Sequence, residues 1–173
     1  MELCVDNMLM RKNEEKLMLV WSKGMRSRIK KELQELYKIY KDIEVDIIDD
    51  KLTISISEVI DNKKHNYSFL ITINYPFEPP KIFYQNKTYY DYLKNNYMLK
   101  NNYLIKKFLG HDCFCCHSYN CRNNWSPAIT LKKIIEEIYR IKKIKRNIIN
   151  KIFVDIIKKK YLVDDIDLDS WLF

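Results

Sequence analysis

The chain has 173 residues, 47% of them hydrophobic, and a formal net charge of +8; that length suits one well-formed core and excludes two ordinary domains. With 2 glycines and 4 prolines it is neither collagen-like nor a low-complexity linker, and no apolar run approaches the roughly 20 residues that a bilayer span needs. Met1 to Asn13 lacks the continuous apolar core of a secretion signal, so the expectation is a soluble intracellular protein, cytoplasmic or nuclear, without a membrane association. The basic residues are spread over all the helices and read as a solvated surface; nucleic acid as a partner rests on net charge alone and ranks last.

Residues 1–21 read as an N-terminal extension and 22–162 as the domain. Met25, Ile29, Leu33, Leu36 and Tyr40 recur at helical spacing with Lys30, Lys31, Glu32 and Glu35 between them, which predicts a helix with one buried and one solvated face. Period-two alternation follows at Ile43, Val45 and Ile47, at Leu52, Ile54 and Ile56, and at Tyr67, Phe69, Ile71 and Ile73. The polar breaks at Asp49 to Lys51 and Asp61 to His65 suit hairpin turns, so the strands form an antiparallel meander with His65 at the surface of a turn. Tyr75-Pro76-Phe77-Glu78-Pro79-Pro80 ends it, because proline lacks an amide donor, and Lys81 to Tyr84 resumes as a fourth, edge-like strand.

Residues 85–109 lack clean periodicity and read as an insertion, in which Tyr92, Leu93, Tyr97, Leu99 and Leu104 could pack a short helix. Helical spacing returns at Leu131, Ile134, Ile135, Ile138 and Ile141, with Thr130 as N-cap, and again at Ile148, Ile149, Ile152, Phe153, Ile156 and Ile157. Residues 163–173 alternate Asp164, Asp165, Asp167 and Asp169 with apolar side chains and read as an acidic-hydrophobic tail that docks on a partner or, in the favoured reading, folds back onto the basic helices, where Lys142, Lys143, Lys145 and Lys158 to Lys160 offer opposite charge. Helix, four strands, irregular segment and C-terminal helices make an α+β class.

Tyr75-Pro-Phe-Glu-Pro-Pro-Lys-Ile, a cysteine-bearing segment, and Trp125-Ser-Pro-Ala-Ile-Thr-Leu at a helix entrance follow one another in that order, preceded by Arg28-Ile-Lys-Lys-Glu-Leu-Gln-Glu-Leu. Together, over about residues 26–144, they resemble the ubiquitin-conjugating enzymes, as a divergent member like those of large DNA viruses or AT-rich eukaryotes; a viral member would act in the host cell. The resemblance implies the UBC-like fold and a thiol that carries ubiquitin or a ubiquitin-like modifier as a thioester, handing it to lysine. Gly110-His111-Asp112-Cys113-Phe114 fits the family's Gly-x-x-Cys pattern and makes Cys113 the first choice of nucleophile; Cys116, nearer the ordinary distance before Trp125, is the second. The family's His-Pro-Asn is absent, which leaves Asn102 as a weak stand-in for its amide, and so is the acidic gate residue. By the same resemblance Arg26, Arg28, Lys30 and Lys31 meet an activating enzyme, while Phe77, Pro127 and Ala128 meet a ligase.

The cysteines admit a rival reading. Four of the five lie between Cys113 and Cys121, and in a reducing compartment such a cluster points to metal or thiol chemistry. Cys113, Cys116, Cys121 and His117 could form a Cys3His structural zinc site, although only one Cys-x-x-Cys is present and catalysis itself would need no cofactor. Two functions stand open: a conjugating enzyme, or an inactive UBC-like binding module fastened by zinc.

Overall fold

Ser22 starts the first helix, its hydroxyl accepting from the Met25 amide at 3.3 Å and so satisfying one of the donors that every helix N-terminus leaves unpaired. The computed structural model describes residues 22–48, 51–60, 62–94, 102–111, 113–116 and 118–161; the N-terminal extension and the acidic-hydrophobic tail lie outside them. Helix α1 (Lys23–Tyr37) buries Met25, Ile29, Leu33 and Leu36, the expected face. Glu32 departs from expectation. It is 3% exposed, because its carboxylate accepts from the Tyr75 hydroxyl at 2.6 Å, the Leu131 amide at 2.8 Å and the Arg28 guanidinium. A buried carboxylate persists only with such partners.

The strands β1 (Asp42–Ile48), β2 (Lys51–Ile60), β3 (Lys63–Ile71), β4 (Lys81–Tyr84) and β5 (Lys87–Thr88) form one antiparallel sheet in sequential order. Ile54 pairs with Phe69 and Ile56 with Tyr67, while Phe69 also pairs with Ile82, so the apolar members of each strand share one face. Burying each contributes about 1.5–3 kcal/mol. Strand β3 begins at Lys63 because Asn62, with φ 58°, turns the chain in the left-handed region that Asn tolerates. His65 is therefore no surface turn residue: it lies on the face of Tyr67, Phe69 and Ile71, 4% exposed, bonded to the Tyr84 hydroxyl at 2.9 Å and to Lys142 Nζ at 3.0 Å. Strand β3 ends at Ile71, which leaves Ile73 63% exposed.

The stretch read as an irregular insertion holds regular elements. Gln85 and Asn86, with φ 51° and 60°, turn the chain from β4 into β5, and Thr88 caps α2 (Tyr89–Lys94) by accepting from the Asp91 amide at 3.1 Å. Helix α3 (Asn102–Leu109) buries Leu104 and Ile105; Tyr97 and Leu99 fall outside the described residues. The two C-terminal apolar sets lie on a single 31-residue helix, α4 (Leu131–Tyr161), because no Gly or Pro interrupts them and Lys145 continues the buried face between. Thr130 caps it as expected, accepting from the Lys133 amide at 3.3 Å. The ring pair Tyr67–Tyr139, with centroids 6.2 Å apart, seats α4 on the sheet. Among the described residues no helix is long and apolar enough to cross a membrane.

Candidate functional site

The cysteine loop runs between α3 and α4. Gly110 releases the chain from α3: its amide still bonds to the Lys106 carbonyl at 2.7 Å, and φ 78° then turns the backbone away. Phe114 is driven into the core at 5% exposure, which leaves its neighbours near the surface: Cys113 and Cys115 half-buried, Cys116 exposed.

Two buried side chains of α4 fix this loop. Lys145 donates to the Tyr92 carbonyl and sits over the Tyr92 and Phe114 rings, 4.0 and 5.1 Å from their centroids. Burial pushes its ammonium down to about 8, since desolvation disfavours the charged form. Glu137, 3% exposed, accepts from Ser118 Oγ at 2.7 Å, the Tyr119 amide at 2.6 Å and the Tyr89 hydroxyl at 2.9 Å. Asn124 donates its side-chain amide to the Cys116 carbonyl at 2.6 Å. Glu137 and Asn124 give no signal in the sequence, because a carboxylate on an amphipathic helix reads as solvated and an Asn in a loop reads as turn chemistry; Lys145, expected to offer its charge to the tail, is buried instead.

The sulfurs of Cys113 and Cys116 lie 2.6 Å apart, those of Cys113 and Cys115 3.3 Å apart, and the Cys116 amide donates to Cys113 Sγ at 3.2 Å. Partial burial works against a Cys113 thiolate, but the hydrogen bonds from Cys116 and Cys115 outweigh it and lower the thiol from its ordinary value. The bond to Cys113 pushes Cys116 up to about 12, and burial together with Cys113 raises Cys115. Of the three sulfurs, Cys113 is therefore the one most biased toward the thiolate.

All three sulfurs lie within 4.8 Å of one another and could hold a metal ion. The set differs from Cys113, Cys116, His117 and Cys121. Cys115, which a Cys-x-x-Cys reading skips, joins the cluster. Cys121 stays outside it, in a turn in which its amide donates to the Ser118 carbonyl and its carbonyl accepts from the Asn124 amide. Cys121 does share a pocket of about 300 Å³ with Cys115, Cys116, Leu93, Tyr90 and Arg122. His117 lies outside the described residues.

No family model, curated protein or solved structure matches this chain.

The remaining predicted residues fall into two groups. Trp125 donates its indole N–H to the Pro76 carbonyl at 2.8 Å and packs on Tyr75, whose peptide bond to Pro76 is cis. This bond brings together the two proline-containing loops, each with exposed tips: Phe77, 80% exposed, and Pro127 and Ala128. On α1, Lys30 and Lys31 are exposed and Arg26 half-buried, whereas Arg28 is engaged internally, with Glu32 and with the Ile129 carbonyl at 3.1 Å. Asn102 opens α3, so a helix of eight residues, about 12 Å long at 1.5 Å per residue, stands between it and Gly110; its side chain lies outside the described atoms.

Proposed function

We propose that the chain is a UBC-like protein that carries ubiquitin or a ubiquitin-like modifier as a thioester on Cys113 and transfers it to lysine. The observation that carries this reading is the state of Cys113: a half-buried, accessible sulfur that accepts hydrogen bonds from the Cys115 thiol and the Cys116 amide and lies against the Cys116 sulfur, surroundings that lower its thiol from the ordinary value and bias it toward the nucleophilic thiolate. It is supported by the way the segments that carry the resemblance meet, α1 through Glu32 and Arg28, the Tyr-Pro loop through Tyr75 and Pro76, and the Trp-Ser-Pro-Ala segment through Trp125 and Leu131.

The Cys113 thiolate attacks the thioester carbonyl of the activated modifier, and the activating enzyme's thiolate leaves. A lysine ε-amine then attacks the new thioester, loses a proton to solvent, and the Cys113 thiolate departs as the isopeptide bond forms. Lys30 and Lys31 are the exposed candidates for contact with the activating enzyme, and Phe77, Pro127 and Ala128 for a ligase. The compartment in this reading is intracellular, cytoplasmic or nuclear.

The test is incubation with ubiquitin, its activating enzyme and ATP, resolved on a non-reducing gel. A larger species that a thiol reductant destroys is expected, because thiolate cleaves a thioester and leaves an isopeptide intact. The compact thiol cluster favours one second reading, an inactive UBC-like binding module whose loop is fastened by zinc. Absence of any labile adduct together with measurable binding to ubiquitin or to a conjugating enzyme would replace the first reading with this one.

A further inference from the structure

The geometry points to a three-sulfur site for a thiophilic d10 cation, monovalent copper or zinc, formed by Cys113, Cys115 and Cys116; it is argued from the cluster's geometry, not from the thioester reading, with which it competes for the Cys113 sulfur, and it uses neither Cys121 nor His117. Sulfurs bound to one ion at about 2.3 Å lie roughly 3.7–4.0 Å from each other. Here the three are already within 4.8 Å, two of the pairs at 2.6 and 3.3 Å. Binding therefore spreads sulfurs by about an ångström in place of protons, rather than recruiting distant groups, so little ordering of the chain is left to do.

The donor set decides the class of ion. No described histidine nitrogen or carboxylate oxygen joins the three sulfurs, and all-thiolate sets select soft ions over magnesium or calcium. The complex would be anionic, and its surroundings are arranged for negative charge. The Cys116 amide points at Cys113 Sγ, Arg122 lines the pocket that Cys115 and Cys116 share, and Lys94 lies within electrostatic reach of Cys115. The backbone is held before any ion arrives, by Asn124 on the Cys116 carbonyl and by Phe114 under the Lys145 ammonium. Because Cys116 is exposed, the site opens to solvent. For zinc, three donors leave an outward fourth position for water or an external thiol, whereas they complete a trigonal Cu(I) site.

Full-length protein, reduced and then freed of reductant under anaerobic conditions, is titrated in separate arms with Cu(I) and with Zn²⁺, each against a competing colorimetric chelator. One equivalent is expected in at least one arm, with an ultraviolet sulfur-to-copper band if the ion is Cu(I). Cys113→Ser, Cys115→Ser and Cys116→Ser should each weaken binding on the order of tenfold or more, while Cys121→Ser leaves it unchanged; circular dichroism checks that each variant is folded. Failure to bind either ion stoichiometrically would overturn the proposal. So would binding that survives Cys115→Ser but is lost in Cys121→Ser, since that pattern belongs to a different ligand set.

Discussion

Replacing Glu137 by Gln tests whether a buried carboxylate on α4 holds the cysteine loop. Its two oxygens take three donors: Tyr89 Oη and Ser118 Oγ on Oε1, at 2.9 and 2.7 Å, and the Tyr119 amide on Oε2 at 2.6 Å. Gln can still accept on one oxygen, but its NH₂ then faces the Tyr119 N–H, so one charge-assisted bond is lost and two donors confront each other. A hydrogen bond to a charged group contributes about 1.5–3 kcal/mol, and weakening of the other two brings the expected cost to roughly 3 kcal/mol, a large share of the 5–15 kcal/mol by which a domain is stable. In urea, with a slope of about 1–3 kcal/mol/M, the midpoint falls by roughly 1–3 M. Cys115 should also react faster with a bulky thiol reagent than global unfolding accounts for, because the segment beginning at Ser118 is what Glu137 ties down. Glu136→Gln is the control; its side chain is 61% exposed, so its effect should stay within about 0.5 kcal/mol. An unchanged midpoint and unchanged labelling in Glu137→Gln would refute the anchoring role.

Burial lowers the Lys145 ammonium to about 8 from an unfolded value of 10.5. Between these pH values the unfolded chain binds more protons, so the cost of burying the charge is complete below pH 8 and is relieved as pH rises toward 10.5. Wild type should therefore gain stability relative to Lys145→Met across that window, by urea denaturation at each pH, and parallel profiles would contradict the shift. Gly110→Ala meets no atom within 4 Å of the added Cβ but must hold φ 78°, so a loss of about 1 kcal/mol from backbone conformation alone is expected, read as a lower thermal midpoint. Phe77→Ala, at an 80% exposed position, should leave the thermal midpoint unchanged while reducing ligase-stimulated transfer; a large drop in the midpoint would show that the loop tip packs inward.

Strand periods and the buried face of α1 were readable because one face of each element is uniformly apolar, as in Leu52, Ile54 and Ile56. Polar residues that the core recruits were not. Glu32 and Glu137 look like solvated carboxylates until Tyr75 and Tyr89, 43 and 48 residues away in sequence, arrive to donate to them. His65 reads as part of the turn because a run of polar residues gives no register; the tight turn at Asn62 places it on the inner face. The cysteine cluster was legible as a cluster but not in its membership: a Cys-x-x-Cys spacing draws attention to Cys113 and Cys116, while the inward pull of Phe114 is what brings the flanking sulfurs of Cys113 and Cys115 to 3.3 Å.

The central claim is that Cys113 is the sulfur that carries the modifier, and the most direct measurement is the identity of the modified residue. Wild type, Cys113→Ser, Cys115→Ser and Cys116→Ser are each charged with ubiquitin, activating enzyme and ATP, and the adducts are mapped by mass spectrometry under non-reducing conditions. The expected result is a reductant-labile adduct on Cys113 in wild type, replaced in Cys113→Ser by a slower, reductant-resistant oxyester at the same position, since a hydroxyl is the weaker nucleophile. Cys115→Ser and Cys116→Ser should still charge at Cys113, because a serine hydroxyl at either position can still donate to the Cys113 sulfur and neither change removes the nucleophile. A labile adduct that persists in Cys113→Ser and maps to Cys116 would contradict the account.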